Sequence, residues 1–155
     1  CPMCRPVQSV QDPQRLGHLK IVAGRVPLII ELKKELDGGD RLVSAVARAL
    51  DGYSGQVAVM SFEHRQCAAF ASAMPGTPRG LTAEGDASTQ DAHARAMAHY
   101  DMQFVSYSIR DLPVPFVSEV REKGTPVITW TVRSPEEVAK SALYADQITF
   151  EGFAP

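Results

Sequence analysis

Apolar and polar positions along the chain fall into two alternating patterns. Six short runs are rich in aliphatic and β-branched residues: Val26 to Leu32, Val57 to Ser61, Arg79 to Glu84, Phe104 to Ile109, Pro126 to Val132 and Gln147 to Phe150. The third is the weakest of them. Several are apolar throughout, not at every second position, as strands buried on both faces should be.

Between these runs the apolar residues return at the spacing of a helix. From Asp40 to Leu50, the side chains of Leu42, Val43, Val46, Ala49 and Leu50 form one stripe, with Asp40 placed to cap the helix and Gly52 to end it. Glu63 to Ala73, the Ala-rich Thr89 to Tyr100, and Pro115 to Lys123 closed by Gly124 predict three more helices. Ser134-Pro135-Glu136-Glu137 has capping-box spacing with Pro at the first helical position. Pro13 to Val22 predicts a helix leading into the first strand, and Gly85 to Ser88 is the most polar loop.

The strands start near positions 26, 57, 79, 104, 126 and 147, so each strand and its helix take about 20–30 residues. Strands alternating with helices imply right-handed βαβ units and a parallel sheet. Six such units fit an open doubly wound sheet, or a (β/α)₈ barrel with two units missing. A doubly wound sheet usually carries a Gly-rich phosphate turn after its first strand. Here that strand runs into Glu31-Leu32-Lys33-Lys34, and no GxxxxGK[ST] loop occurs anywhere. A barrel instead gathers polar residues at the C-terminal ends of its strands. The chain offers Glu31 and Lys33, Ser61, Glu84, Arg110, Trp130 with Arg133, and Glu151 at those places. The expected fold class is therefore α/β, a parallel (β/α) TIM-barrel type with about six of eight βα units.

Length and composition narrow the function classes. The 155 residues correspond to one domain, 1–155, with a segment 1–22 of uncertain order ahead of the first strand. Hydrophobic residues make up 45% and charged residues 22%, which is globular composition and excludes a disordered acidic tail. Sixteen basic against 18 acidic residues leave a charge of −2, so the basic excess of a nucleic-acid binder is missing. No apolar run approaches the length of a membrane span, and no signal peptide is readable, which points to the cytoplasm. The first residue is Cys1, so a processed, trimmed or partial chain is expected.

The candidate chemistry is sparse. Cys1-Pro-Met-Cys4 is a lone CxxC without the two further ligands of a zinc site and without the preceding strand of a redox motif. Cys67, in a helical stretch, reads as a buried free thiol. His18, His93 and His99 fall in helical segments without metal spacing, while Ser61 and His64 read as a helix cap and an exposed histidine. Glu31 is different. A carboxylate that ends the strand Leu28-Ile29-Ile30 is costly unless it is paired, metal-bound or solvated. Lys33, two residues on, shares its side of the strand. The two can form a metal ligand beside a phosphate-binding cation, or a plain salt bridge. Trp130, the single tryptophan, sits at the end of the fifth strand, where it can pack in the core or line a mouth.

Four segments resemble the glycerophosphodiester phosphodiesterase family. Val26-Pro-Leu-Ile-Ile-Glu-Leu-Lys33 is similar to its (I/V)-E-(I/L)-K strand and Val59-Met-Ser-Phe62 to its next strand, ending in S-F. Gly124-Thr-Pro-Val-Ile-Thr-Trp-Thr-Val132 is similar to its G-x-x-V-x-x-W-T-V segment. Ala145-Asp-Gln-Ile-Thr-Phe-Glu-Gly152 resembles its closing strand, where the family more often has G-I-x-T-D-x-P. The resemblance implies a TIM barrel that hydrolyses glycerophosphodiesters to an alcohol and glycerol 3-phosphate with a divalent cation, Mg²⁺ or Ca²⁺. For Glu31 it implies a metal ligand, for Lys33 a contact to the substrate phosphate, and for Trp130 a place at the substrate mouth.

The family's H-R-G strand, E-x-D pair and H-D element have no counterpart in this sequence. The resemblance runs from the third strand to the eighth, about 60% of a barrel of roughly 250 residues. The catalytic histidines and two of three carboxylate ligands are thus expected to be absent from this chain, either as a C-terminal piece of a longer enzyme or as a natural deletion. Two functions follow as expectations: a metal-dependent phosphodiesterase acting on a small-molecule substrate, or an inactive barrel fragment acting as a binding or assembly module. The first predicts a metal site at Glu31 and phosphate affinity at Lys33; the second predicts a homo-oligomer through the exposed barrel edges and no metal dependence. An unrelated open α/β domain is the third reading.

Overall fold

The structure, a computed structural model, describes residues 17–34 and 40–154. The Cys1–Cys4 pair, the segment before Gly17 and the start of the expected Pro13 helix lie outside the described residues. Strands and helices alternate: α1 (Gly17–Val22), β1 (Leu28–Glu31), α2 (Arg41–Ala49), β2 (Val57–Ser61), α3 (His64–Ala73), β3 (Arg79–Ala83), α4 (Gln90–His99), β4 (Phe104–Ser108), α5 (Pro115–Glu122), β5 (Val127–Val132), α6 (Pro135–Tyr144) and β6 (Gln147–Phe150). The six strands neighbour one another in chain order. The described residues fall into two compact units, divided inside β3 between Gly80 and Leu81.

In the first unit β1 pairs in parallel with β2, Ile29 beside Ala58 and Glu31 beside Met60. The core gathers Leu32, Val59 and Phe70 with Val43, Val46 and Leu50 of α2 and its end, and Ile30 packs against them. These residues carry the helix-facing side of β1, so the alternate positions Ile29 and Glu31 take the opposite side. Asp40 precedes α2 without a side-chain cap bond, contrary to the expected cap. β1 is also shorter than expected, because Val26 stands 56% exposed ahead of the ladder.

In the second unit β4 is buried at all five positions, as a strand covered on both faces should be. Tyr107 meets His93 of α4 and Phe116 of α5 edge-on or tilted, and the register puts Tyr107 beside Thr129. Thr129 in turn shares a 2.6 Å hydrogen bond with Ser141 of α6. This face of β4 and β5 therefore belongs to the helices, and Ser106, Ser108, Ile128 and Trp130 take the other. β6, at the end of the strand order, alternates between exposed and half-buried positions.

Local signals account for the helix ends. Ser134 accepts from the Glu137 amide ahead of Pro135, as the capping spacing requires. Glu137 reaches back to the amide of Arg133 at 2.6 Å. α4 starts one residue later than the pattern suggests, because Asp86 accepts from Ser88 and a 3₁₀ turn forms over Ala87–Thr89. Among the described residues no helix is long and apolar enough to cross a membrane.

Candidate functional site

The end of β1 brings two of the sequence-derived residues together. Lys33 Nζ stands 2.6 Å from Glu31 Oε1, with the lysine side chain 59% exposed and the glutamate 25%. The period of two that places them on one side is thus realised as an ion pair. Such an exposed pair contributes about 0–1 kcal/mol, so the ammonium can exchange its partner for an incoming anion at small cost. Next to it, Lys34 Nζ lies 4.0 Å from Glu63 Oε2.

The backbone under this pair is held by two side chains that sequence reasoning did not assign to it. The Leu32 amide still donates to Met60 O at 2.8 Å, one residue past β1. Beyond it, Ser61 Oγ donates to Leu32 O at 2.5 Å and Gln66 Nε2 donates to Lys33 O at 3.0 Å. Ser61 Oγ also accepts from the Glu63 amide at 2.9 Å and lies 3.3 Å from Gln66 Oε1. Both residues are buried, at 0% and 3% exposure. Ser61 is not the expected helix cap, since Glu63 stands at the N-cap of α3 without a side-chain cap bond; its hydroxyl instead joins the end of β2 and the start of α3 to the chain leaving β1. Gln66 carried one sequence signal. It lies four residues before Phe70, a polar residue on the buried stripe of α3.

His64 departs from its expected exposure. It is half-buried, and burial lowers its imidazole pKa below the ordinary 6.5 against an opposing contribution from the Glu63 carboxylate. Cys67 is the buried free thiol the sequence suggested, and burial pushes its pKa up to about 12.

Trp130 is carried by the second unit. Its indole Nε1 donates to Ser106 O at 3.0 Å, it sits beside Ser108 in the register, and its side chain is half-buried. At the ends of β5 and β6, Arg133 and Glu151 form an ion pair, Nη2 to Oε1 at 2.5 Å and Nε to Oε1 at 2.7 Å. At the end of β3 the peptide of Gly85 is held from both sides. Its amide donates to Asp111 Oδ2 at 2.8 Å, and its carbonyl accepts from Tyr107 OH at 2.8 Å. Gly85 has φ +111°, and a Cβ there would meet Thr89 Cγ2 at 2.8 Å, so the turn requires glycine. The exposed Glu84 precedes it.

A hard divalent cation takes six or more oxygen ligands, several of them carboxylate or water. Among the described residues no three His, Cys, Asp or Glu side chains stand together as a metal site. Glu31 brings one carboxylate, already paired with Lys33. The described residues therefore do not make a cation site on their own.

The sequence matches the model of the glycerophosphoryl diester phosphodiesterase family over residues 20–148. No curated protein matches it. The fold is similar to that of a Silicibacter pomeroyi DSS-3 protein described as a glycerophosphoryl diester phosphodiesterase, with a TM-score of 0.74 and 21% identity over 87% of this chain and 51% of that one. It is similar to an Oleispira antarctica phosphodiesterase solved with the product sn-glycerol-3-phosphate, with a TM-score of 0.74 and 18% identity over 87% of this chain and 56% of that one. A glycerophosphodiester phosphodiesterase from Parabacteroides distasonis ATCC 8503 gives 0.69 and 18%, over 89% of this chain and 58% of that one. The chain thus spans about half the length of these solved structures. The likeness establishes the fold as α/β, of the parallel (β/α) TIM-barrel type.

Proposed function

We propose, since this chain belongs to the glycerophosphoryl diester phosphodiesterase family, that it serves the hydrolysis of glycerophosphodiesters to an alcohol and glycerol 3-phosphate. The observation that carries the reading is the Lys33–Glu31 pair at the carboxyl end of β1, inside the matched residues. A lysine presents a compact charge to phosphoryl oxygens, and the bond becomes charge-assisted when the anion arrives. In this reading Lys33 leaves Glu31 for a phosphate oxygen. Glu31, freed of its partner, would supply one oxygen ligand to a Mg²⁺ or Ca²⁺ ion, whose charge would stabilise the phosphoryl oxygens, with the other donors supplied from beyond the described residues. No proton transfer is assigned to this chain, because none of His18, His64, His93 and His99 stands in the family's catalytic context.

Among the described residues no three possible metal ligands stand together, which favours a second reading, an inactive module of the same fold that binds or assembles without turnover. In both readings β1 and β6, at the two ends of the strand order, are the edges for self-association.

The test is hydrolysis of a glycerophosphodiester in Mg²⁺ or Ca²⁺, with a chelator control, by the chain and by Glu31→Gln. Turnover abolished by the chelator and by Glu31→Gln supports the enzyme. Saturable binding of glycerol 3-phosphate without turnover supports the binding module. Absence of both turnover and binding overturns the assignment of the phosphate site.

A further inference from the structure

A strand that ends leaves its last carbonyls outside the ladder, and these must find other partners. At the end of β1 the two carbonyls concerned belong to Leu32 and Lys33, and both are taken by buried side chains of the next βα unit. Ser61 closes β2 and bonds Leu32 O at 2.5 Å; Gln66, one turn into α3, bonds Lys33 O at 3.0 Å. Ser61 also accepts the Glu63 amide, so the start of α3 and the exit of β1 hang on one hydroxyl. Neither side chain reaches the Lys33 ammonium, which lies exposed against Glu31. Their grip is on the backbone from which that long side chain starts.

We propose that Ser61 and Gln66 are positioning residues for Lys33, fixing its backbone so that the ammonium meets a phosphate without first having to order the chain. The inference rests on the reading of Lys33 as the phosphate contact. Releasing one residue's backbone means the ligand must supply the ordering, which lowers affinity about tenfold.

The experiment is a double-mutant cycle read by calorimetric titration with glycerol 3-phosphate. Gln66→Leu removes the amide with little change in volume, and Lys33→Ala removes the charge. Gln66→Leu should weaken binding about tenfold in the wild-type background and less than about twofold on top of Lys33→Ala, since coupled residues are not additive. Ser61→Ala should follow the same pattern. Equal losses in both backgrounds, or no loss in the first, overturn the inference while leaving Lys33 as the phosphate contact. An unchanged affinity in Lys33→Ala overturns the reading of Lys33 itself and the inference with it. A ligand-free measurement stands beside the cycle. In Gln66→Leu, ¹⁵N order parameters at Lys33 and Lys34 should fall from about 0.85 toward 0.6 or below while those of α2 stay unchanged. No fall at these residues, or a fall that spreads through α2, overturns the inference.

Discussion

Trp130 donates its indole N–H to the carbonyl of Ser106 across 3.0 Å, tying the end of β5 to its neighbour β4. Ser106 itself is fully buried, so its carbonyl has no access to water as a substitute partner. Trp130→Phe keeps an aromatic ring while it removes the indole N–H and part of the ring volume. The cost expected is about 1 kcal/mol, more if the carbonyl is left unpaired. A urea unfolding curve checks it; a midpoint that does not move would show that the indole bond contributes nothing to the second unit.

The buried hydroxyls of Thr129 and Ser141 answer each other at 2.6 Å. Removing one leaves the other without a partner in the interior. Thr129→Val should therefore destabilise by about 1–3 kcal/mol, while adding Ser141→Ala should recover part of the loss. Chemical denaturation of the two single variants and the double variant tests the pair. Strict additivity of the single effects contradicts it.

Cys67 is a fully buried thiol whose pKa burial raises to about 12. At pH 8 the thiolate fraction is about three orders of magnitude below that of an ordinary cysteine. Native protein should leave Cys67 unmodified by iodoacetamide over hours, and urea should expose it to rapid alkylation, read from the mass of its peptide. Fast labelling of Cys67 in the native state contradicts the packing of α3.

His64 has a folded-state pKa lowered from 6.5 by burial. In the unfolded chain it takes up its proton first as the pH falls, so unfolding is favoured by acid. Stability should decline as the pH drops through 6.5 toward the depressed value, then stop depending on this group below it. Melting temperatures between pH 5 and 8 should fall less steeply with acid in His64→Gln than in the wild type. Parallel curves for the two proteins would contradict the assignment.

Much of the fold was legible because its period is local. Val57–Ser61 and Gln147–Phe150 coincide with the apolar runs to the residue, and Ser134 caps α6 as its spacing indicates. Glu31 and Lys33 were legible for the same reason, since a two-residue offset alone sets them on one side. What the pattern could not show depends on partners far along the chain. Gln66 bonds a carbonyl 33 residues away, and Ser61 one 29 residues away. Asp40 looked like a cap by type, yet its backbone, at φ −106° and ψ 23°, is outside the extended range that capping side chains use. His64 followed Ser61 at a helix start and looked exposed; the packing of α3 decided otherwise.

The most direct measurement is a ³¹P NMR titration of the chain with glycerol 3-phosphate, repeated with Lys33→Ala. Lys33, whose ammonium lies 2.6 Å from Glu31 in an exposed pair, is the phosphate contact of the proposed function. Saturable binding by the wild type, weakened about tenfold or more in Lys33→Ala, is the result expected for a charge-assisted contact. Equal affinity in the two proteins, or no binding by the wild type, would contradict the phosphate site at the end of β1.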